Sequence, residues 1–369
     1  MTVRERFLDY MRFRPVDRAP LMEIGYWPET LDRWRGEGMP AWITDVHRLE
    51  DYLRLDRSWN CNWLPIDDRV YPPFTTAILE ETATHIVLRD GAGVVQRQSK
   101  TSRSIPQFIR FPVENEEDYE RLLPRLEGGD PDRYAAGFDE EVRGRRERGE
   151  ILGVSFAAFF GFPRELMGLE NWCVAFHDYP RLVRRIIADR VEFGKRLYRR
   201  ALDAGAVDFV QFWEDMAYRS GSLISPRLVR EIMQPAYEEM VAFFRDAGVA
   251  LMMVDSDGNI DDLFPIFLDA GVDGMHPCER AAGTDPIELR RRHPGCRLIG
   301  GMDKRAIASG PDGVDAELNR LKPILREGGF IPSLDHFVPP DVSWDTYRYY
   351  VERRRELGFG NTMLVIGAD

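Results

Sequence analysis

Cysteine is scarce in this chain. Four occur in 369 residues, Cys61, Cys173, Cys278 and Cys296, and no two form a CxxC pair. That pattern argues against a disulfide framework and makes the cytoplasm the expected compartment. Long apolar runs are missing as well. None approaches the ~18 residues that a membrane-spanning helix needs. The opening "MTVRERFLDYMRFRPVDRAP" reads as an amphipathic helix and turn without the apolar core of a signal peptide. Unbalanced positive charge is also lacking, since 50 Lys and Arg face 62 Asp and Glu for a net charge of −12. The arginine-rich runs "RGRRERGE" (143–150) and "VERRREL" (351–357) interleave acids and read as solvated helix faces. Nucleic acid and anionic membranes are therefore poor partners. No internal repeat and no low-complexity segment occurs.

What is present is an alternation of short apolar runs with stretches of helical period. Eight runs read as strands: "RAPLMEIG" (18–25), "EILGVSFAA" (150–158), "VDFVQFWED" (207–215), "GVALMMVDSDG" (248–258), "GVDGMHPCE" (271–279), "CRLIGGMDK" (296–304), "GGFIPSLDH" (328–336) and "NTMLVIG" (361–367). Near-continuous apolar strands are what a parallel sheet buried on both faces requires. Between them lie helices at 180–205, 225–248, 259–271, 285–293 and 311–329. The helix at 225–248 opens on Ser225 as N-cap with Pro226 at the first helical position. Eight strands, and no GxGxxG after the first, favour a (β/α)8 TIM-type barrel over an open doubly wound sheet. Asp90-Gly91 inside "THIVLRDGAGVVQRQSK" (84–100) signals a β-hairpin. Residues 70–110 are therefore expected as a hairpin insertion near the first strand, within a single barrel domain spanning 1–369.

In a parallel barrel the chemistry sits where the strands end. The first run ends in Glu23, Tyr26 and Trp27, and the third in Trp213, Glu214 and Asp215. Later runs supply Asp255 and Asp257, then His276, Cys278 and Glu279, then Asp303 and Lys304, and finally Asp335 and His336. Each has a structural reading. Asp257 before Gly258-Asn259 could cap the next helix, Glu214 and Asp215 could pair with arginines such as Arg219 or Arg230, and His276 could be a bonded core histidine. Taken together they crowd acids on one rim, where like charges raise one another's pKa unless a cation or basic substrate intervenes.

The segments "ERFLDYMRFRPVDRAPLMEIGYW" (5–27), "DSDGNIDDLFPIFLDAGVDGMHPCE" (255–279) and "GGFIPSLDHFVPPDVSWDTYRYYVE" (328–352) resemble, in order and spacing, motifs of the uroporphyrinogen decarboxylase superfamily. The resemblance covers essentially the whole chain. It implies a (β/α)8 barrel, often a homodimer, with its cleft at the strand C-termini. True decarboxylases of that superfamily carry Arg-Gln-Ala-Gly-Arg after the first strand, and "MEIGYW" (22–27) has Glu23 there and no arginine. His336 matches a family His, and an early-loop Asp corresponds to Asp67 or Asp68. The methyltransferase branch binds zinc through a His-x-Cys pair and a later Cys. Asp255-Ser256-Asp257 and the region of Asp335-His336 stand in those places here.

The resemblance thus implies an enzyme on the methyltransferase side. It would move a methyl group between a small substrate and a corrinoid or pterin carrier, with a corrinoid protein as partner. Glu214, Asp215 and His336 are the expected acid, base or polarising groups. Asp255, Asp257 and His336 are the expected ligands of a divalent metal, zinc or a harder ion. Glu23, Tyr26, Trp27, Asp67, Phe159, Trp213, His276, Glu279, Asp303, Lys304 and Asp335 are expected to line the substrate site. The alternative is a cofactor-free decarboxylase of a tetrapyrrole or other carboxylated substrate, with Arg69, Arg103 and Arg164 as the basic residues at its mouth. A third reading is a non-catalytic tetrapyrrole-binding barrel.

Overall fold

The computed structural model describes residues 1–101 and 106–359. Its centre is a parallel sheet of six strands, laid side by side as β5 (Gly153–Ala157), β6 (Phe209–Trp213), β9 (Leu251–Asp255), β10 (Gly274–His276), β11 (Arg297–Ile299) and β12 (Phe330–Ile331). Each follows a helix that returns the chain to the sheet's start, and the side chains of the strands are almost wholly buried. That burial on both faces explains the unbroken Val, Phe and Met content of the runs.

Two irregular segments carry the sheet round into a barrel. Trp63 bridges Gly153 in parallel, with Leu64 N donating to Gly153 O at 2.8 Å. Amides of Asp56, Trp59 and Asn60 donate to the carbonyls of Leu21, Glu23 and Ile24. Tyr26 in turn bridges Val338, on the chain running on from β12. The ring is therefore 21–26, 56–64 and the six regular strands, which is the (β/α)8 arrangement.

This differs in membership from the sequence expectation. The run at 361–367 lies outside the described residues. The second stave is instead the stretch around "WNCNWL" (59–64), whose alternating asparagines hide it from any search for apolar runs.

The insertion is larger than one hairpin. Strands β1 (Ala77–Glu81), β2 (His85–Arg89), β3 (Val95–Ser99) and β4 (Gln107–Arg110) form a separate antiparallel meander. The β2–β3 turn falls at Asp90, whose carboxylate accepts from Ala92 N and Val94 N. A further two-residue pairing, β7 (Ala217–Tyr218) with β8 (Gly221–Ser222), follows β6.

Helix boundaries follow local chemistry. Pro180–Asp203 runs unbroken. The expected helix at 225–248 keeps its Ser225 cap, but a wider turn at Val229–Met233 precedes Gln234–Asp246. Pro235 has no N–H to give the preceding turn, which accounts for the loosened winding. The helix expected from 259 starts only at Phe264, because the Asn259 side chain accepts from Asp261 N and folds the chain into a turn. Asp257 therefore caps no helix.

Candidate active site

The C-terminal ends of the strands enclose a cleft of about 280 Å³. At its floor lies Gln211, the one amide in the apolar run of β6. Its Oε1 accepts from the indole N–H of Trp59 at 2.6 Å and pairs with His276 Nε2 at 2.9 Å. Its Nε2 donates to Asp255 Oδ2 at 2.7 Å and to Ser155 Oγ at 3.2 Å. An indole can only donate, so Trp59 fixes which way the amide points. It follows that His276 carries its hydrogen on Nε2 and that Nδ1 is a bare lone pair. That nitrogen is buried and has no hydrogen-bond partner, and Asp255 Oδ1 is 3.8 Å from it. Burial drives the His276 pKa down to about 3, so the ring is neutral.

Asp255 is pushed the other way. Burial raises its pKa well above the ordinary carboxylate value, and the nearby Asp215 and Asp257 raise it further against the opposing pull of Arg164. Asp215 is also raised, by burial and by Asp257, although Arg164 Nη2 holds its Oδ2 at 3.0 Å. Its backbone sits at φ 47°, a left-handed conformation that costs free energy in any residue but glycine. Two bonds hold it there: Asp257 N donates to its Oδ1 and Arg164 Nη1 to its carbonyl. Asp257 differs from both. Burial pushes its pKa up, but His336 Nε2 at 3.5 Å, aided by Lys304, outweighs burial and leaves it lowered.

Aromatic rings form the walls. Trp27, 41% exposed, stacks on His336 with ring centres 5.7 Å apart, and Phe337 packs against both. Opposite them, Trp213 lies under the guanidinium groups of Arg69 and Arg164, 5.1 and 4.7 Å from its ring centre. Arg69 is also paired with Glu165, and its Nε lies 3.3 Å from Asp68. Arg103, the third basic residue expected at the mouth, lies outside the described residues.

The structure thus brings Asp215, Asp255, Asp257, His276, His336, Trp27 and Trp213 to one cleft. It places the other expected residues elsewhere. Glu214 is fully buried behind the wall and accepts from the amides of Phe159, Phe160 and Gly161 and from Tyr237 Oη. Phe159 packs edge-on to Tyr237 in the same core. Glu23 is buried between Arg354 and Tyr350, and Tyr26 bonds Tyr347. Asp67 is a surface turn residue accepting from Arg69 N, whereas its neighbour Asp68 is buried against Arg190. Asp303 caps the helix Lys304–Ala308 and pairs with Arg305. Asp335 is buried and accepts from the amides of Arg280 and Lys304. Glu279 accepts from Gly258 N and pairs with Lys304.

Gln211, Ser155, Asn60, Pro277, Phe337 and Ile24 complete the lining and were not among the expected residues. Gln211 was findable, as a lone amide inside "VDFVQFW".

The expected metal set does not fit. Among the described residues, no group of three or more His, Cys, Asp or Glu side chains is placed to hold an ion. Asp255 Oδ2 is held by Gln211, and His336 faces Asp257 as its partner rather than beside it as a second ligand.

An acidic, aromatic-walled cleft at the strand ends of a (β/α)8 barrel defines the class of protein. More narrowly, the chain belongs to the uroporphyrinogen decarboxylase (URO-D) family, whose sequence profile matches residues 102–357. No curated protein matches the chain. Among solved structures, a methyltransferase from Methanosarcina mazei is similar over 96% of this chain and 99% of its own. Its TM-score is 0.59 and its identity 15%, a likeness of fold. A protein provisionally described as a vitamin-B12-independent methionine synthase from Listeria monocytogenes aligns over 93% of this chain and 98% of its own, with 10% identity and a TM-score of 0.42. Among the described residues, no helix is long and apolar enough to cross a membrane.

Proposed function

We propose that the chain, acting as a single barrel domain, is an enzyme that moves a methyl group between a small substrate and a corrinoid or pterin carrier. The observation that carries this reading is Asp255, a carboxyl on the floor of a small cleft, held by a neutral amide and driven toward its protonated form by burial and by two neighbouring acids. A carboxyl with a raised pKa can change its charge to suit a reacting heteroatom. When the bond between methyl and heteroatom breaks, the heteroatom keeps the electron pair. Asp255 balances the charge left behind, giving a proton to an anion or staying ionised beside a neutral product.

A bound carrier would supply the electron pair for the new bond to the methyl carbon. At about 280 Å³ the cleft lies near the lower end, roughly 300 Å³, of small-molecule sites, which suits a small substrate with the carrier's flat ring met at the mouth. Trp27 and Phe337 offer apolar faces there. Asp215 and Asp257, tied to Arg164 and His336, keep Asp255 in its raised state.

The family's description favours decarboxylation as the second reading. That chemistry needs cations to hold the substrate's carboxylates, and the two arginines beside Trp213 are already engaged by Asp215, Asp68 and Glu165. Calorimetric titration with methylcobalamin and with coproporphyrin separates the two. Methyl transfer predicts binding of methylcobalamin, and loss of methyl from it when a panel of small amines, alcohols and thiols is added. Asp255→Asn should slow that loss about 10²-fold or more. Binding of coproporphyrin alone would overturn the reading in favour of decarboxylation. Binding without turnover of any kind would leave the non-catalytic barrel.

A further inference from the structure

The charged groups lining the cleft do not balance. Each arginine at the cleft already has an acid, Arg164 holding Asp215 and Arg69 taken by Asp68 and Glu165, and His336 Nε2 lies 3.5 Å from Asp257 Oδ2. Asp255 alone has no cationic partner; its donor is the neutral amide of Gln211. A second, independent feature stands beside it. His276, 2% exposed, presents the bare Nδ1 lone pair fixed by the Trp59–Gln211 chain, and nothing donates to it. Asp255 Oδ1, 3.8 Å away, is too far to share a hydrogen bond with it. The floor therefore presents two neighbouring acceptor atoms, Asp255 Oδ1 and His276 Nδ1, with the only donor to Asp255 spent on its other oxygen, Oδ2. Toward the mouth, the ring of Trp27 is open to the solvent side of the cleft and Asp257 adds a second acid.

We propose that the substrate of this cleft is a small methylated ammonium ion, its N–H held by Asp255 and His276 and its methyl groups set against Trp27 and Phe337. A cation with an N–H satisfies both acceptors at once. A neutral donor leaves the Asp255 charge unpaired, and an anion meets three carboxylates. Aromatic faces with a nearby acid are also the usual setting for methylated ammonium groups. This deepens the methyl-transfer reading and rests on it for the reaction. In that reaction the C–N bond breaks, its electron pair stays on nitrogen, and the methyl carbon is bonded by the carrier's electron pair. The positive charge thus leaves with the methyl group, and a neutral amine remains beside the Asp255 carboxylate.

Three probes test the assignment on the full-length protein by calorimetry. Trimethylammonium has the charge and one N–H, tetramethylammonium the charge alone, and tert-butanol a comparable size with one O–H and no charge. Trimethylammonium should bind at least tenfold more tightly than tert-butanol and more tightly than tetramethylammonium. In Asp255→Asn its advantage over tert-butanol should shrink toward unity. The wild-type ranking decides the matter even where that variant fails to fold. Equal binding of trimethylammonium and tert-butanol overturns the proposal. Ammonium binding without methyl transfer would support it while sinking the reading of the reaction. Methyl transfer from a methyl ether, with no ammonium binding, would do the reverse.

Discussion

Glu214 and Asp255 end neighbouring strands of one sheet, the first sealed in the core and the second facing the cleft, and they have opposite fates. Glu214 receives three backbone amides and a tyrosine hydroxyl. Asp255 receives one side-chain amide and has two acids for neighbours. A buried carboxylate with a full set of donors is a structural clamp, because its remaining lone pairs are spoken for. One with a single neutral donor keeps chemical freedom. Supply of donors and access to the cleft, rather than position at a strand end, separate clamp from candidate site.

The comparison breaks most visibly at the clamp. Glu214→Ala strands four donors in the core and should cost about 4 kcal/mol or more, read from urea unfolding. A loss below about 1 kcal/mol would mean that the donors find other partners and that the contrast is false.

His276 sharpens the same contrast by pH. Its folded pKa, lowered by burial to about 3, lies below the ordinary 6.5. The neutral ring therefore contributes stability that is present above about 6.5 and lost as pH falls toward 3. Thermal melts should show the wild type losing Tm through that window more steeply than His276→Gln, and parallel curves would contradict the assigned state.

Asp255 carries the opposite sign. Its folded pKa is raised by burial and by Asp215 and Asp257, so its favourable contribution exists below the unfolded value of 3.8 and fades as pH rises through the folded one. Asp255→Asn should gain in Tm over the wild type as pH rises from 3.8 through the raised folded value. A gap that narrows over that range would refute the raised value. The smallest effect belongs to Asp303, which caps Lys304–Ala308 and lies outside the cleft. Asp303→Ala should cost about 1 kcal/mol and leave methyl transfer unchanged, and a large fall in turnover would move Asp303 into the site.

Much of this contrast was written in the sequence, and some of it could not be. The six regular strands and the Asp90-Gly91 turn depend on residues close together in the chain, and they read correctly, whereas of the strand-end acids only Asp215, Asp255 and Asp257 reach the cleft. The clamp role of Glu214 depends on amides some fifty positions earlier, at Phe159–Gly161, and no local pattern reveals such donors. Glu23 was misplaced for the same reason, since its partner Arg354 comes from the far end of the chain. The second stave, 56–64, mixes Asn60 and Asn62 with Trp59, Trp63 and Leu64, winds through a 3-10 turn at Trp59–Asn62, and is held by isolated bonds rather than by a ladder. Gln211 is the instructive middle case: its oddity in an apolar strand was visible, but only the fold shows that it orients Asp255 and His276 together.

The central claim is that Asp255, with one neutral donor and two neighbouring acids, has its pKa raised well above the ordinary carboxylate value. Infrared difference spectroscopy of wild type against Asp255→Asn tests it directly. The account predicts that the C=O stretch of the neutral acid, absent from the variant, persists in the wild type above the pH at which an ordinary carboxyl, near 3.8, ionises. Loss of that band at the ordinary value would contradict it.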